Sequence, residues 1–169
     1  MTPHDSPEKR MSENESMPLD KLDRKILRRY QANTRIAAES IATEVGLSTA
    51  AVQRRLRRMR QSGVIRQEVA LIDPRAVGLA VTCVVSVELL RETGSGIQRF
   101  KNKIAKHPEV QQCYYVTGTC DFVLMVLAAD MQAYEAFTRK ALLDDVNVRS
   151  FTTHVVLDPI KVGAAVVIP

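Results

Sequence analysis

Apolar residues recur at helical spacing in the first third of the chain. The pattern predicts three short helices, over residues 20–32, 36–45 and 48–62. Gly46 and Gly63 are placed to end the second and third helices, because glycine accepts the left-handed conformation common at helix ends. Ser48 can begin the third helix by accepting a backbone hydrogen bond.

The second and third predicted helices fit a helix-turn-helix. That motif needs a small residue where the helices cross, a residue free to take the turn, and apolar side chains between the helices. Ala42 and Gly46 meet the first two needs. The apolar set is Ile41, Val45, Leu47, Val52 and Leu56.

The third helix has one apolar face and one cationic face. Val52, Leu56 and Met59 share a side at about 100° per residue. The opposite side suits the major groove of DNA, because arginine reaches guanine edges or phosphates and glutamine can pair with adenine. We therefore predict DNA contacts from Ser48, Thr49, Ala50, Gln53, Arg54, Arg57 and Arg58. Arg58 and Arg60 lie nearer the helix end and are expected to meet phosphates.

Positive charge is concentrated in this same segment. Residues 20–66 hold 12 Lys and Arg against four Asp and Glu, whereas the net charge of the whole chain is +5. Such an excess indicates a surface for a polyanion. A solvated basic hairpin that binds nothing is the alternative, but the turn pattern and the charge together favour DNA binding.

After this segment the pattern changes. Val64–Arg66 and Val69–Ile72 look like two strands of a small wing, or a strand leading out, and Asp73-Pro74 marks a boundary. Further strands are predicted at 79–90, 110–117, 120–128 and 146–158, with helices at 95–107 and 130–142. This βαββαβ order predicts an α+β fold whose second domain is ferredoxin-like, with both helices on one side of an antiparallel sheet.

The predicted domains follow from these changes of pattern. They are a polar, disordered tail at 1–18, a winged helix-turn-helix at 19–66, a linker strand and hinge at 67–77, and the βαββαβ domain at 78–169. The tail has no apolar stretch, which argues against a signal peptide.

The predicted sheet is apolar on both faces. Its first strand places Cys83 and Val85 on one side and Val84 on the other, and its third strand is similar. Two helices cover one side only, and a large exposed apolar patch usually marks an interface. We expect a homodimer, which would suit a palindromic operator. Coverage by the tail or by the first domain is the alternative.

Composition excludes several classes of protein. The chain has no run of 18 uncharged apolar residues, which argues against a membrane span. Its three cysteines are odd in number and lack C-x-x-C spacing, so we expect no disulfide framework and no metal, and a reducing cytoplasm fits best. The three histidines have no nucleophile or phosphate loop beside them, so we expect no enzyme, no catalytic residues and no cofactor.

Several short motifs point to one family. They are Leu19-Asp20-x-x-Asp23-Arg24-Lys25-Ile26-Leu27, Val45-Gly46-Leu47-Ser48, Arg54-Arg55, Gly63-Val64-Ile65, Val116-Thr117-Gly118 and Asp121-Phe122. Together they resemble the Lrp/AsnC (feast/famine) family of prokaryotic transcription regulators. The resemblance implies an N-terminal winged helix-turn-helix, a C-terminal effector-sensing RAM domain, dimers that often form octamers, amino-acid effectors, and a cytoplasmic, nucleoid-associated protein.

The same resemblance implies an effector pocket where RAM domains of different dimers meet. Its candidate residues are Gly118, Thr119, Asp121, Arg149 and Thr152. Turn N–H groups can hold a carboxylate, Asp121 can pair with an ammonium, and Arg149 can bind a carboxylate or a neighbouring subunit. Hairpin capping by Asp121 and an interface ion pair of Arg149 are the structural alternatives.

This chain departs from the family pattern at three places. Thr119 stands where the family commonly has Asp, Thr49-Ala50-Ala51 replaces a usual Pro-Thr-Pro at the start of the third helix, and Arg60 stands in place of a common acid. We predict a sequence-specific transcriptional regulator modulated by a small molecule, most simply an amino acid. An effector-independent, nucleoid-like protein that wraps DNA is the alternative, and the altered hairpin at Thr119 favours it.

Overall fold

The computed structural model describes residues 18–163 and 165–169. The predicted tail therefore lies, except for Pro18, outside the described residues. The chain divides into two compact units. One consists of the residues up to Ala70 together with Gly163–Pro169, and the other of Leu71–Val162. The predicted second domain ran to residue 169, whereas the last seven residues belong to the first unit.

The first unit contains three helices: α1 (Lys21–Ala32), α2 (Ala38–Val45) and α3 (Thr49–Gln61). Asp20 and Asp23 form a reciprocal capping box at the start of α1. Gly46, with φ of 72°, ends α2 in the left-handed conformation, as predicted. The Ser48 hydroxyl accepts a hydrogen bond from the N–H of Ala51 and so begins α3.

Apolar faces of the three helices make the core of this unit. Ile26, Ile41, Val52 and Met59 are fully buried. Burying a side chain of this size contributes about 1.5–3 kcal/mol, and this burial holds α2 and α3 in the helix-turn-helix arrangement. The predicted apolar face of α3 is confirmed by the burial of Val52, Leu56 and Met59.

The predicted wing is not formed. Val64–Arg66 and Val69–Ile72 are irregular, and Arg75–Val77 forms only a short 3₁₀ turn. The physical reason lies in pairing, because a strand needs a partner for its backbone groups and neither segment has one within the described chain. Leu71 is 76% exposed. The linker strand expected within residues 67–77 is absent for the same reason.

The second unit has the predicted βαββαβ order. Its elements are β1 (Val81–Leu89), α4 (Gly94–Ile104), β2 (Val110–Tyr115), β3 (Phe122–Ala128), α5 (Met131–Thr138) and β4 (Val148–Val155). The sheet order is β2-β3-β1-β4, and all three pairings are antiparallel. α5 is shorter than the helix predicted over residues 130–142, because residues 139–143 form a π-type turn.

One face of this sheet packs under the helices. Val85, Val87 and Leu124 are fully buried there, together with Phe100 of α4. On the other face, alternate residues such as Val84 and Met125 are only half-buried. The apolar second face predicted from the sequence is therefore present and partly exposed.

Asn147 joins the loop before α4 to the start of β4. Its side chain accepts from the N–H of Arg91 and donates to the carbonyl of Arg91, while its own carbonyl accepts from Leu90. Gly96 lies against this joint. A Cβ atom at Gly96 would lie 2.9 Å from Oγ1 of Thr93, the residue that caps α4.

No helix among the described residues is long and apolar enough to cross a membrane. Within the same residues no group of three metal-ligating side chains is present. Cys83, Cys113 and Cys120 are free thiols.

Candidate nucleic-acid interface and effector site

The exposed side of α3 carries two arginines, Arg54 and Arg57. Gln53, Arg54 and Arg57 are exposed, and neither arginine forms an ion pair within residues 18–163 and 165–169. Ala50 is also exposed at the start of the helix and leaves room for close approach. Guanidinium groups beside a small residue suit recognition of the major groove, because they can reach base edges and phosphates while the small residue allows close approach.

The other arginines of α3 are held inside the unit. Asp23 is fully buried, and its two carboxylate oxygens accept hydrogen bonds from Arg55 at 2.8 Å and Arg58 at 2.7 Å. Asp20 adds a second carboxylate, 2.6 Å from Arg55. The backbone N–H of Asp23 and then Arg55 lower the pKa of Asp20, so its carboxyl is ionised at neutral pH.

Arg58 therefore differs from Arg54 and Arg57. Its side chain remains 49% exposed, so part of the guanidinium faces solvent while one nitrogen is bound to Asp23. The arrangement fixes the guanidinium at the end of α3. It leaves a phosphate contact by Arg58 as a prediction and adds an internal role that the periodicity did not indicate.

Arg60 ties α3 to the segment that follows it. Its guanidinium donates to Glu68 and to the hydroxyl of Tyr30, each at 2.7 Å. The hydrogen bond from Arg60, followed by that from Tyr30, lowers the pKa of Glu68. Burial, reinforced by Glu68, raises the pKa of Tyr30. Glu68 thus remains charged, and its contact with Arg60 ties this stretch to α3.

The candidate effector residues of the second unit gather at one end of the sheet. Asp121 precedes β3 and Arg149 lies near the start of β4, and both strands pair with β1 near Val87. Gly118 and Thr119 lie in the β2–β3 loop, where both are exposed, and Gly118 has φ of 130°.

Asp121 makes a structural contact. It is 8% exposed, and its carboxylate accepts a 2.6 Å hydrogen bond from the N–H of Leu89. Its backbone N–H donates to Val87 and its carbonyl accepts from Val116. The carboxylate thus ties the start of β3 to the end of β1, whereas the β2–β3 hairpin is closed by the backbone of Val116 and Asp121. This structural role is favoured over direct pairing with an ammonium.

Arg149 lies at a β-bulge. Glu88 is opposite Ser150 and Leu89 is opposite Val148, so Arg149 is the extra residue of β4. Bulges redirect a side chain and are frequent beside functional sites. The Arg149 guanidinium is 2.7 Å from Glu88 and 57% exposed, so the ion pair is formed within the sheet.

Thr152 is exposed on β4 opposite Ser86, three residues beyond the bulge. Two residues at these sites were missed from the sequence, Asp23 as the acceptor for two arginines and Glu88 as the partner of Arg149. The spacing of Asp20 and Asp23 is visible in the sequence as a possible helix cap. The contact between Asp23 and Arg55 spans 32 positions, so no local pattern predicts it.

A helix-turn-helix whose Arg54 and Arg57 have no ion-pair partner within residues 18–163 and 165–169, followed by a βαββαβ unit, is typical of DNA-binding regulators with a ligand-binding domain. Residues 19–60 match the AsnC-type helix-turn-helix domain, and residues 82–166 match the Lrp/AsnC ligand binding domain. The chain belongs to the Lrp/AsnC family of transcriptional regulators. Members of this family are DNA-binding regulators and not enzymes, as the sequence predicted.

Named relatives agree with the family match. An uncharacterized HTH-type transcriptional regulator of Sinorhizobium fredii is 44% identical over 151 residues, which is 89% of each chain. The leucine-responsive regulatory protein of Escherichia coli K12 is 31% identical over 89% of this chain and 92% of its own length.

Solved structures show the same architecture. A transcriptional regulator of Neisseria meningitidis in complex with L-Met has a TM-score of 0.81 at 32% identity, over 88% of this chain and 96% of that one. An AsnC family regulator of Agrobacterium tumefaciens gives the same TM-score at 34% identity, with the same coverage. These matches confirm the predicted family and the order of a helix-turn-helix followed by βαββαβ.

Proposed function

We propose that this regulator binds a specific, palindromic DNA operator through α3 and that an amino acid modulates this binding. The observation that supports it most directly is the separation of roles on α3. Val52, Leu56 and Met59 are buried, while Arg54 and Arg57 are exposed and unpaired within the described chain. A protein acting at operators would work at the nucleoid.

Arg54 tests the DNA interface. Arg54→Ala should weaken binding to the operator, selected from a random duplex pool, by about 1–3 kcal/mol, or roughly 5- to 150-fold in Kd. Arg139→Ala is the matched control, because Arg139 is 68% exposed on the second unit and the variant loses the same charge. Fluorescence anisotropy at fixed salt gives both values.

The selectivity of this loss assigns the contact. If Arg54 reads a base, the variant loses preference at one position of the operator, whereas a phosphate contact weakens all duplexes alike. Equal affinities of Arg54→Ala, Arg139→Ala and the parent protein would refute the placement of α3 at the DNA.

The effector site is proposed at the end of the sheet that carries Gly118, Thr119 and Arg149. Arg149 is half-exposed at its bulge, and the turn at Gly118 is open to solvent. Both groups suit a carboxylate. The L-Met complex of the Neisseria relative supports an amino acid as the class of ligand.

A thermal-shift screen of the twenty amino acids tests this proposal. A ligand selective for the native protein at one hundred times its Kd adds about 2.7 kcal/mol, which raises Tm measurably. Arg149→Ala should abolish the shift, while Arg139→Ala should keep it. A shift that survives Arg149→Ala would place the effector elsewhere.

An architectural protein that wraps DNA without an effector is the second candidate. It is favoured by the engagement of the Asp121 carboxylate with Leu89 and by Thr119, which offers no charge for an ammonium. No thermal shift with any amino acid, together with similar affinity for all duplexes, would support it over operator recognition.

We also propose that the second unit dimerises through its open sheet face, where Val84 and Met125 are half-buried. Apolar surface of this kind usually contacts a partner. Met125→Lys should shift the sedimentation coefficient towards that of a monomer. Lys101→Glu, on the helix side, changes charge without touching this face and should leave assembly unchanged.

A further inference from the structure

The last residues of the chain lie against α1. The side-chain amide of Gln31 donates to the carbonyl of Val166 at 2.9 Å and accepts from the N–H of Val166 at 3.2 Å. Arg28 donates from Nε to the carbonyl of Ile168 at 3.0 Å. Gln31 thus pairs with Val166 in both directions, as a neighbouring strand would.

The described residues of the segment differ in burial. Ile168 is partly buried and packs against the core cluster of the helix-turn-helix unit, whereas Val167 is 94% exposed. The carbonyls of Val166 and Ile168 accept hydrogen bonds from side chains of α1, whereas the side chains of Val166 and Val167 are exposed. Three hydrogen bonds and one apolar contact therefore fix the position of the segment along α1.

Arg28 and Gln31 bind backbone atoms of the segment and no polar side chain. The composition of the segment agrees with this mode of binding. Gly163–Pro169 has no charged residue, in a chain where 25% of residues are charged. On α1, Arg28 and Gln31 are exposed polar residues that need no role in the helix core. Their partners lie 135 and 140 positions later.

We propose that residues 165–169, here called the C-terminal strap, dock on α1 and complete the helix-turn-helix unit. The surface formed by Arg28, Gln31 and the edge of the core is specific for this segment of the chain's own backbone. The DNA-binding unit therefore depends on residues that follow β4 of the second unit, and residues 156–164 connect β4 to the strap. The docking itself does not depend on DNA or on an effector.

Amide hydrogen exchange on the full chain, followed by NMR, tests the strap directly. The N–H of Val166 should exchange at least about ten-fold more slowly than an unstructured amide, and Gln31→Ala should remove that protection. Gln61→Ala is the matched control, because Gln61 is an exposed glutamine on α3 and its loss should leave Val166 unchanged.

Ile168→Ser tests whether the strap completes the unit. It should speed the exchange of the slow Ile26 amide in α1 by about ten-fold and leave the Leu124 amide in β3 unchanged. Val167→Ser, next to it but exposed, should change neither amide. A Val166 amide unprotected in the parent protein would overturn the docking.

Two further outcomes would overturn the completion of the unit. They are an unchanged Ile26 amide in Ile168→Ser, or equal acceleration at Leu124. Because neither DNA nor effector enters these measurements, their failure leaves the operator proposal standing, and failure of duplex binding leaves the strap standing.

Discussion

Replacing Asp23 by alanine removes the acceptor that joins α1 to α3. Its carboxylate is fully buried and accepts from the N–H of Asp20 at 3.2 Å, from Arg55 and from Arg58. In Asp23→Ala, Arg55 keeps only Asp20, and Arg58 loses its acidic partner among the described residues. We expect a large loss of stability confined to the helix-turn-helix unit.

The magnitude follows from burial and from the number of partners. Removing one member of a buried ion pair costs about 3–5 kcal/mol. Arg58 is half-exposed and can regain water, so the lower end, about 3 kcal/mol, applies. Asp23→Ala also removes half of the capping box of α1, but the free energy lost there is not simply added to the loss of about 3 kcal/mol, because the same carboxylate makes both sets of contacts. Asp23→Asn keeps an oxygen acceptor and should lose less.

Methionine methyl signals give a separate reading for each unit during urea unfolding. Met59 is fully buried in the first unit, and Met125 lies on β3 in the second. Asp23→Ala should lower the urea midpoint seen at Met59 and leave that at Met125 unchanged. Glu39→Ala, an exposed acid of α2, is the control and should cost less than about 0.5 kcal/mol. Equal midpoints at Met59 for Asp23→Ala and Glu39→Ala would refute the reasoning.

Two further predictions concern the second unit. Gly96→Ala should destabilise it by about 1–2 kcal/mol, because the new Cβ would displace the capping hydroxyl of Thr93, and a urea midpoint unchanged from the parent would contradict this. Burial pushes the pKa of Asp145 upward, but the N–H of Asn147 and the ammonium of Lys103 outweigh it, so its pKa lies below the ordinary 3.8. Its stabilising contribution is therefore complete above about pH 4 and is lost as the pH falls through the lowered value. The stability difference between the parent and Asp145→Asn should shrink with that fall, and urea midpoints from pH 6 to pH 2 measure it.

The helices and the sheet were predictable because their signals are local. Val52, Leu56 and Met59 repeat at helical spacing, and β1 and β3 alternate or run apolar, so burial follows from the pattern. The wing was wrong because Val69–Ile72 has strand composition but no partner within the described chain. Composition indicates that a segment can pair, not that a partner is present.

The sequence indicates which residues are candidates for the two sites, but it does not indicate the contacts that these residues make. Arg58 and Arg149 stood out as exposed cations, yet the acids that bind them, Asp23 and Glu88, lie 35 and 61 positions away. The last seven residues were assigned to the second domain because chain order was the only guide. Gln31 binds Val166 of this segment, but in the sequence it looks like any solvent-exposed residue of a helix.

The internal pairing on α3 changes what the positive charge of this helix can do at a duplex. Each arginine that neutralises a phosphate releases a condensed counterion and adds about 0.9 to the steepness with which log affinity falls against log salt. Arg55, Arg58 and Arg60 already neutralise Asp20, Asp23 and Glu68. Among the described residues, α3 therefore offers two arginines without an acidic partner instead of five, so log affinity should fall less steeply with log salt than its arginine content alone predicts.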